Sequence, residues 1–151
     1  MNKENIENFD PQKMLEEYDK WPEMAEEAYN SFSENIEFKK INHIVFAGMG
    51  GSGAIGDVFS AILSKTNIHI SVVKGYVLPN TVNSETLVIT TSVSGNTLET
   101  ISVLKKAHEK NCNLIVFSSG GIMEKICDEK NITHFNVKMS HSPRTSFVIY
   151  L

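Results

Sequence analysis

From residue 43 onward, short apolar runs rich in valine and isoleucine alternate with longer stretches in which apolar residues recur at helical spacing. Runs that are apolar on both faces are typical of strands buried in a parallel sheet, and parallel strands need a crossover connection between them. The alternation therefore predicts an α/β fold, a three-layer, doubly wound sandwich with a five-stranded parallel sheet. The predicted strands are residues 43–47, 68–73, 86–91, 113–117 and 132–137, the predicted helices are 54–65, 97–110 and 122–130, and 74–84 is a predicted loop.

The first 40 residues lack this alternation and predict an N-terminal helical segment, followed by one domain over residues 41–151. Apolar residues at helical spacing form a stripe that Pro22 interrupts: Met14, Leu15, Tyr18, Trp21, Met24, Ala25, Ala28, Tyr29 and Phe32. We interpret this stripe as a surface that packs the helices on the sheet, and a subunit interface is the alternative.

The composition of the 151-residue chain, 41% hydrophobic and 21% charged, is typical of an ordinary globular domain. A net charge of −4 argues against broad binding to nucleic acids or acidic membranes, so an anionic ligand needs local donors. The polar, acidic N-terminus does not resemble a signal peptide, and no apolar run is long enough to span a bilayer. Cys112 and Cys127 form no metal or redox motif, so the sequence predicts a reduced, cytoplasmic protein, and a disulfide between them is the alternative. The five histidines lack metal-ligand spacing.

Two loops rich in glycine and serine follow the first and third predicted strands, at residues 48–53 (GMGGSG) and 92–97 (SVSGNT). Each loop precedes a predicted helix, and the unpaired backbone N–H groups and dipole at a helix N-terminus stabilise an anion. Ligands of open parallel sheets bind beyond the carboxyl ends of the strands, which is where both loops lie. We therefore expect one phosphate to be held from two sides.

The first loop matches the dinucleotide fingerprint G-x-G-x-x-G through Gly48, Gly50 and Gly53. That fingerprint requires an acidic residue for the ribose after the second strand, and Lys74 stands there instead. Ser52 offers a hydroxyl to a phosphate oxygen, which favours phosphate over a dinucleotide. The loop also approaches the nucleophile elbow G-x-S-x-G, but an alanine takes its last position and no matching His and acid are evident.

The second loop carries the hydroxyls of Ser92, Ser94 and Thr97 within six residues, and Gly95 permits a positive φ or a close backbone approach. A helix cap and a tight turn account for one of these hydroxyls, with Thr97 as the N-cap residue, but they leave the clustering unexplained. The cluster therefore predicts a phosphate-binding loop.

Two later segments are further candidates for the ligand-binding edge. Residues 118–121 (SSGG) are either another ligand-facing turn or only the loop into the next helix. Ser142 and Pro143 suit the N-cap and first position of a helix, which places Arg144 in its first turn, and the apolar run 147–151 predicts that this helix continues. An arginine there can bind phosphate or stabilise an oxyanion, and the alternative is an exposed side chain in a surface ion pair.

Taken in order, these motifs resemble those of the SIS (sugar isomerase) domain family. The segments that carry the resemblance are 48–53 with Asp57, 92–97 with Glu99 and Thr100, and 119–121. The final Pro143-Arg144-Thr145-Ser146 makes the order similar to the N-terminal half of the bifunctional phosphoglucose/phosphomannose isomerases. The likeness extends from about residue 43 to the end of the sequence.

The resemblance implies an isomerase that interconverts glucose 6-phosphate or mannose 6-phosphate with fructose 6-phosphate through a cis-enediol(ate). It implies that Arg144 stabilises this intermediate and that no metal or organic cofactor takes part. The residues implied in binding the sugar phosphate are Gly51, Ser52, Ser92, Ser94 and Thr97.

The bifunctional phosphoglucose/phosphomannose isomerases carry two SIS domains. In that family the second domain supplies the glutamate base and the histidine and lysine of ring opening. We therefore expect this chain to be an N-terminal half that is nearly inactive alone, and its apolar stripe favours a homodimer. Two other functions stay open from the sequence. A stand-alone sugar-phosphate-binding or sensor module uses the same loops without catalysis, and a dinucleotide-dependent oxidoreductase uses the first loop.

Overall fold

The structure, a computed structural model, describes residues 9–31, 36–38 and 40–151. Its helices are α1 (Met14–Asp19), α2 (Trp21–Ser31), α3 (Gly50–Leu63), α4 (Leu98–Glu109), α5 (Gly121–Lys130) and a short 3₁₀ helix (Phe147–Ile149). Its strands are β1 (His43–Ala47), β2 (His69–Val73), β3 (Thr86–Ser92), β4 (Asn113–Ser118) and β5 (Thr133–Asn136). Every strand predicted beyond residue 43 is present, and so are the three helices predicted between them.

The strands form one five-stranded sheet in the order β2-β1-β3-β4-β5. All neighbouring pairs are parallel, which confirms the predicted α/β class and the parallel sheet. The chain passes from β1 to β2 on one side and then returns to β3 on the other, so the winding reverses between β1 and β3. In open α/β sheets such a switch point leaves a crevice at the carboxyl ends of the two strands, and ligands bind there.

Helices cover both faces of the sheet, as a doubly wound arrangement requires. On one face, the ring of Phe46 in β1 stacks on Phe59 of α3, with centroids 5.3 Å apart. Neighbouring residues of a strand point to opposite faces, so Val45 lies on the other face, where it clusters with Val103 of α4. α5 packs beside α4 against β4.

The main apolar cluster lies between the sheet and α4. Its buried members are Val45, Ala47, Val73, Leu78, Val82, Val88, Val103 and Ala107. Leu78 and Val82 come from the connection between β2 and β3, which is a loop as predicted and covers the sheet without a helix. Burial of each large apolar side chain stabilises the fold by about 1.5–3 kcal/mol, which fixes the carboxyl ends of β1 and β3 relative to each other.

The start of α3 differs from the prediction. The helix begins at Gly50, four residues before the predicted start at 54, so most of the first glycine-rich loop is the first helical turn. A Cβ on Gly53 would lie 2.7 Å from the carbonyl oxygen of Gly48, so the tight entry into the helix requires glycine there. This packing outweighs the low helix propensity of glycine, about 1 kcal/mol per residue below alanine.

The described part of the predicted N-terminal helical segment contains α1 and α2, but their apolar stripe reaches the sheet indirectly. The ring of Trp21 packs against Phe147 of the 3₁₀ helix, with centroids 6.1 Å apart, and its indole N–H donates to the carbonyl oxygen of Thr145 at 2.9 Å. The C-terminal segment therefore lies between these helices and the sheet. Phe32, the last member of the predicted stripe, lies outside the described residues.

The predicted helix over 147–151 is instead a single 3₁₀ turn, Phe147–Ile149. The tighter turn directs Tyr150 into an apolar cluster with Ile55 of α3 and Val93 of the second loop. The Tyr150 hydroxyl donates to the carbonyl oxygen of Val137 at 2.8 Å, and burial raises the pKa of Tyr150 to about 12. Within the described residues, none of the helices combines the length and the hydropathy that a membrane span needs.

We expect His43 to make the fold sensitive to acid. Its side chain is buried at the start of β1, with Nε2 2.9 Å from Ser71 Oγ and its ring 4.6 Å from that of His69. Burial, and then the charge of His69, lower the pKa of His43 below its ordinary value. The unfolded chain therefore binds a proton near pH 6.5 that the native chain does not, so the free energy of unfolding should fall as the pH drops below about 6.5.

Urea denaturation at pH 7.5 and pH 5.5 measures this effect in the wild type and in the His43→Gln variant. The free energy of unfolding of each protein at pH 5.5 is compared with that of the same protein at pH 7.5. This comparison separates the effect of proton binding from any loss of packing in the variant. We expect the variant to lose less stability on acidification than the wild type. Equal losses would show that His43 does not contribute to the acid sensitivity.

Candidate functional site

The amino ends of α3 and α4 lie side by side at the switch point of the sheet. α3 follows β1 and α4 follows β3, and the last residue of β1, Ala47, pairs with Thr90 of β3. Neighbouring strands lie about 4.8 Å apart. Ile55 of α3 and Val93 of the second loop also share one apolar cluster. The two glycine- and serine-containing loops are therefore neighbours at one edge of the sheet.

The first turn of α3 offers unpaired donors to a ligand. The first hydrogen bond of the helix joins the N–H of Gly53 to the carbonyl oxygen of Met49 at 3.2 Å. Within the described residues, the N–H groups of Gly51 and Ser52 consequently have no partner. Gly51 is exposed, and a Cβ built on it would meet no atom within 4 Å. This open space, two N–H groups and the Ser52 hydroxyl suit an anion at the positive end of the helix dipole.

The second loop leaves the amino end of α4 open as well. Thr97 holds the predicted N-cap position, but its side chain does not cap the helix. Its Oγ1 lies 2.8 Å from Oγ of Ser92, which is 2% exposed, and the two hydroxyls pair with each other. The N–H groups of residues 98–100 have no partner in the described part of the chain. Ser94 is exposed beside them, and its Oγ accepts the N–H of Asn96 at 3.3 Å.

The amino end of α5, by contrast, is occupied by the second loop. The N–H of Ile122 donates to Oδ1 of Asn96 at 3.1 Å, and the next N–H along the helix donates to the carbonyl oxygen of Gly95 at 3.0 Å. These bonds use donors that a helix N-terminus otherwise offers to an anion. Of the two interpretations of residues 118–121, the structure favours a connection that supports the second loop over another ligand-facing turn.

Lys74 lies beside the first turn of α3. A Cβ on Gly53 would be 3.1 Å from Cγ of Lys74, and the Lys74 ammonium forms an ion pair with Asp57. A cation thus stands where a dinucleotide-binding fold places an acid for the ribose. Among the residues that the structure describes, no three His, Cys, Asp or Glu side chains come together in the way that a metal ion requires.

Arg144 lies in a capped turn and not, as predicted, in the first turn of an α-helix. Ser142 Oγ accepts the N–H of Thr145 at 3.3 Å, and the chain then tightens into the 3₁₀ helix. The Arg144 side chain is exposed and has no hydrogen bond or ion pair with any described residue. It lines an open cavity of about 430 Å³ together with Gln12, Met14, Ser142 and Pro143. The structure therefore brings the two loops together, but among the described residues no hydrogen bond or ion pair joins the Arg144 side chain to them.

The sequence matches the family model of the SIS domain over residues 37–142. The chain belongs to the SIS domain family. This SIS domain is 32% identical over 137 residues to a bifunctional phosphoglucose/phosphomannose isomerase of Caldicellulosiruptor bescii, a match that covers 88% of this chain and 40% of the relative. It is 30% identical over 131 residues to a D-glucosamine-6-phosphate 4-epimerase of Sulfolobus acidocaldarius, with 86% and 41% covered. The chain thus spans about two fifths of the length of these curated relatives.

The fold of this SIS domain is similar to the C-terminal domain of glucosamine-fructose-6-phosphate aminotransferase from Francisella tularensis. The TM-score is 0.66 at 19% identity, and the match covers 91% of this chain and 45% of that chain. At this identity the likeness concerns the fold alone. The family inferred from the sequence motifs is confirmed.

Contacts between distant segments of the SIS domain join residues whose partners the sequence did not predict. The Nδ2 of Asn96 donates to the carbonyl oxygen of Ser94 at 3.0 Å while Oδ1 binds α5, so this side chain ties the second loop to a helix. Ser119 Oγ donates to the carbonyl oxygen of Val93 at 2.6 Å. Glycine, serine and asparagine in these segments indicate turns, but a turn signal does not identify the partner of the turn.

Proposed function

We propose that this chain binds a sugar 6-phosphate as the N-terminal SIS domain of a phosphoglucose/phosphomannose isomerase. The observation that carries the proposal is the pair of open helix N-termini, α3 and α4, at the switch point of the sheet. In this proposal the ligand is bound by Gly51, Ser52, Ser92, Ser94 and Thr97.

Backbone N–H groups and hydroxyls supply the binding, since neither loop contains a lysine or an arginine. Hydrogen bonds to a charged group contribute about 1.5–3 kcal/mol each, and a helix N-terminus adds about 0.3–2 kcal/mol. Donors from two helices therefore compensate for the overall negative charge of the chain.

The proposed reaction moves a proton between C1 and C2 and so interconverts an aldose 6-phosphate with fructose 6-phosphate. Arg144 stabilises the negative oxygen of the cis-enediol(ate), and its exposed guanidinium, without a partner among the described residues, is available for that. The general base and ring-opening groups belong, by the resemblance, to a second SIS domain. This chain alone should consequently bind the ligand without appreciable turnover, and a homodimer stays a prediction.

The names of the two relatives support the ligand more strongly than the reaction. Both specify a phosphorylated sugar, but one is an isomerase and the other an epimerase. A sugar-phosphate-binding or sensor module without catalysis is the second candidate. It is favoured by one observation, that the cavity lined by Arg144 contains no residue of either loop.

We expect calorimetric titration to detect fructose 6-phosphate and inorganic phosphate but not NAD(H) or NADP(H). A variant with both Ser94→Ala and Thr97→Ala should bind fructose 6-phosphate and phosphate about tenfold or more weakly, because two hydroxyl donors are lost. The matched control replaces Ser64 and Thr66, whose hydroxyls lie at the exposed carboxyl end of α3, with alanine and should bind as the wild type. Unchanged affinity in the first variant would remove the second loop from the site, and binding of nicotinamide nucleotides alone would refute a phosphosugar ligand.

A further inference from the structure

The N-terminal helices dock on the segment that carries Arg144. The indole N–H of Trp21, the first residue of α2, donates to the carbonyl oxygen of Thr145 at 2.9 Å. The same ring packs at 6.1 Å from Phe147, tilted by 32°. No residue of α1 or α2 is fully buried, and the Trp21 ring is half-buried. Beside this packing, the contact includes a hydrogen bond to the residue directly after Arg144.

The turn that carries Arg144 is stabilised by hydrogen bonds within the turn and by a hydrogen bond from α2. Inside, Thr145 Oγ1 donates to the carbonyl oxygen of Ser142 at 3.0 Å, and Ser146 Oγ donates to the same oxygen at 2.8 Å. Outside, Trp21 ties the backbone of the turn to another element of the fold. Because the Arg144 side chain has no partner among the described residues, its direction depends on the backbone that carries it.

The N-terminal segment also reaches the space beside Arg144. Gln12 and Met14 line the same open cavity of about 430 Å³ as Arg144. This segment therefore forms part of the surroundings that a ligand bound by Arg144 would meet.

We propose that Trp21 is a positioning residue for Arg144. Its indole N–H fixes the turn and thereby aims the guanidinium at the sugar end of the ligand, away from the phosphate. The proposal rests on the role of Arg144 in the proposed function. It makes the N-terminal helical segment a part of the site.

The variant Trp21→Phe, made in the full chain, tests the hydrogen bond and keeps an aromatic ring against Phe147. Loss of one neutral hydrogen bond should weaken fructose 6-phosphate binding about three- to tenfold. Inorganic phosphate lacks the sugar end, so its affinity should not change. The control Tyr18→Phe keeps the ring that contacts Trp21 edge-on at 4.9 Å, and it should bind both ligands as the wild type.

Coupling with Arg144 distinguishes positioning from a general structural effect. If Trp21 acts through Arg144, Trp21→Phe combined with Arg144→Met should bind fructose 6-phosphate no more weakly than Arg144→Met alone. When Trp21→Phe is combined with Ser94→Ala, the losses of fructose 6-phosphate affinity caused by the two substitutions should add fully. The inference is overturned if Trp21→Phe weakens the binding of fructose 6-phosphate and of inorganic phosphate equally. It is also overturned if the loss of affinity caused by Trp21→Phe adds fully to that caused by Arg144→Met. Failure of the proposed function is recognised separately, because the wild type would then bind neither ligand.

Trp21 is the only tryptophan of the chain, so its fluorescence reports directly on this contact. Fructose 6-phosphate at saturation should change the emission of the wild type, and inorganic phosphate should not. In the Arg144→Met variant, saturating fructose 6-phosphate should leave the emission unchanged. An equal change in both proteins would overturn the inference.

Discussion

Replacing Gly95 with alanine should disrupt the second loop and abolish sugar-phosphate binding. Gly95 has a φ of +67°, a conformation that costs an L side chain about 1–2 kcal/mol. A Cβ there would also lie 1.7 Å from the carbonyl oxygen of Gly120, which is backbone and cannot rotate away. The peptide would have to move, and the bonds that join the loop to α5 would break. We expect the free energy of unfolding to fall by about 3–5 kcal/mol and calorimetry to detect no fructose 6-phosphate binding.

The matched control is Gly75→Ala in the loop after β2. Its added Cβ would meet no atom within 4 Å, and its φ lies outside the left-handed region. The control should stay within about 0.5 kcal/mol of the wild type in urea denaturation and keep its affinity. If Gly95→Ala denatured at the same urea concentration as Gly75→Ala, the close packing of the loop on residues 120–121 would be refuted.

The fold from residue 43 onward could be predicted because strand and helix periodicity are local properties of the sequence. β1 begins and ends at the predicted residues, His43 and Ala47. The predicted start of α3 was wrong because the observed start depends on the close approach of Gly48 and Gly53. Helix propensities of single residues do not describe that contact. The strand order β2-β1-β3 was not predicted either. It depends on the side of the sheet to which each connection returns, and packing decides that.

The candidate site shows the same division between local and long-range information. The spacing of Ser92 and Thr97 predicted clustered hydroxyls, and the structure places their oxygens 2.8 Å apart. The contact of Asn96 with α5 joins residues 26 positions apart, and that of Trp21 with Thr145 joins residues 124 positions apart. Such pairs follow from the packing of the chain, so the periodicity of one sequence does not reveal them.

When the second SIS domain that the resemblance implies is also present, replacing Arg144 with methionine should lower kcat for fructose 6-phosphate isomerisation by about 10²–10³-fold, the usual effect of removing a group that stabilises a developing oxyanion. Methionine keeps an unbranched side chain but removes the charge. Since the side chain is exposed and without a partner among the described residues, the thermal midpoint and the affinity for inorganic phosphate should not change. Arg144→Lys should retain part of the activity, because lysine keeps the charge but lacks the planar fork of donors.

The control for this prediction is Lys105→Met, which removes an exposed positive charge from α4 and should leave kcat unchanged. Arg144 is the only arginine of the chain, so another arginine of this domain cannot replace it. Steady-state kinetics at saturating fructose 6-phosphate compare the two variants. Equal kcat values for Arg144→Met and Lys105→Met would show that Arg144 has no catalytic role. The two open helix N-termini would then support only ligand binding, as in a sensor module without catalysis.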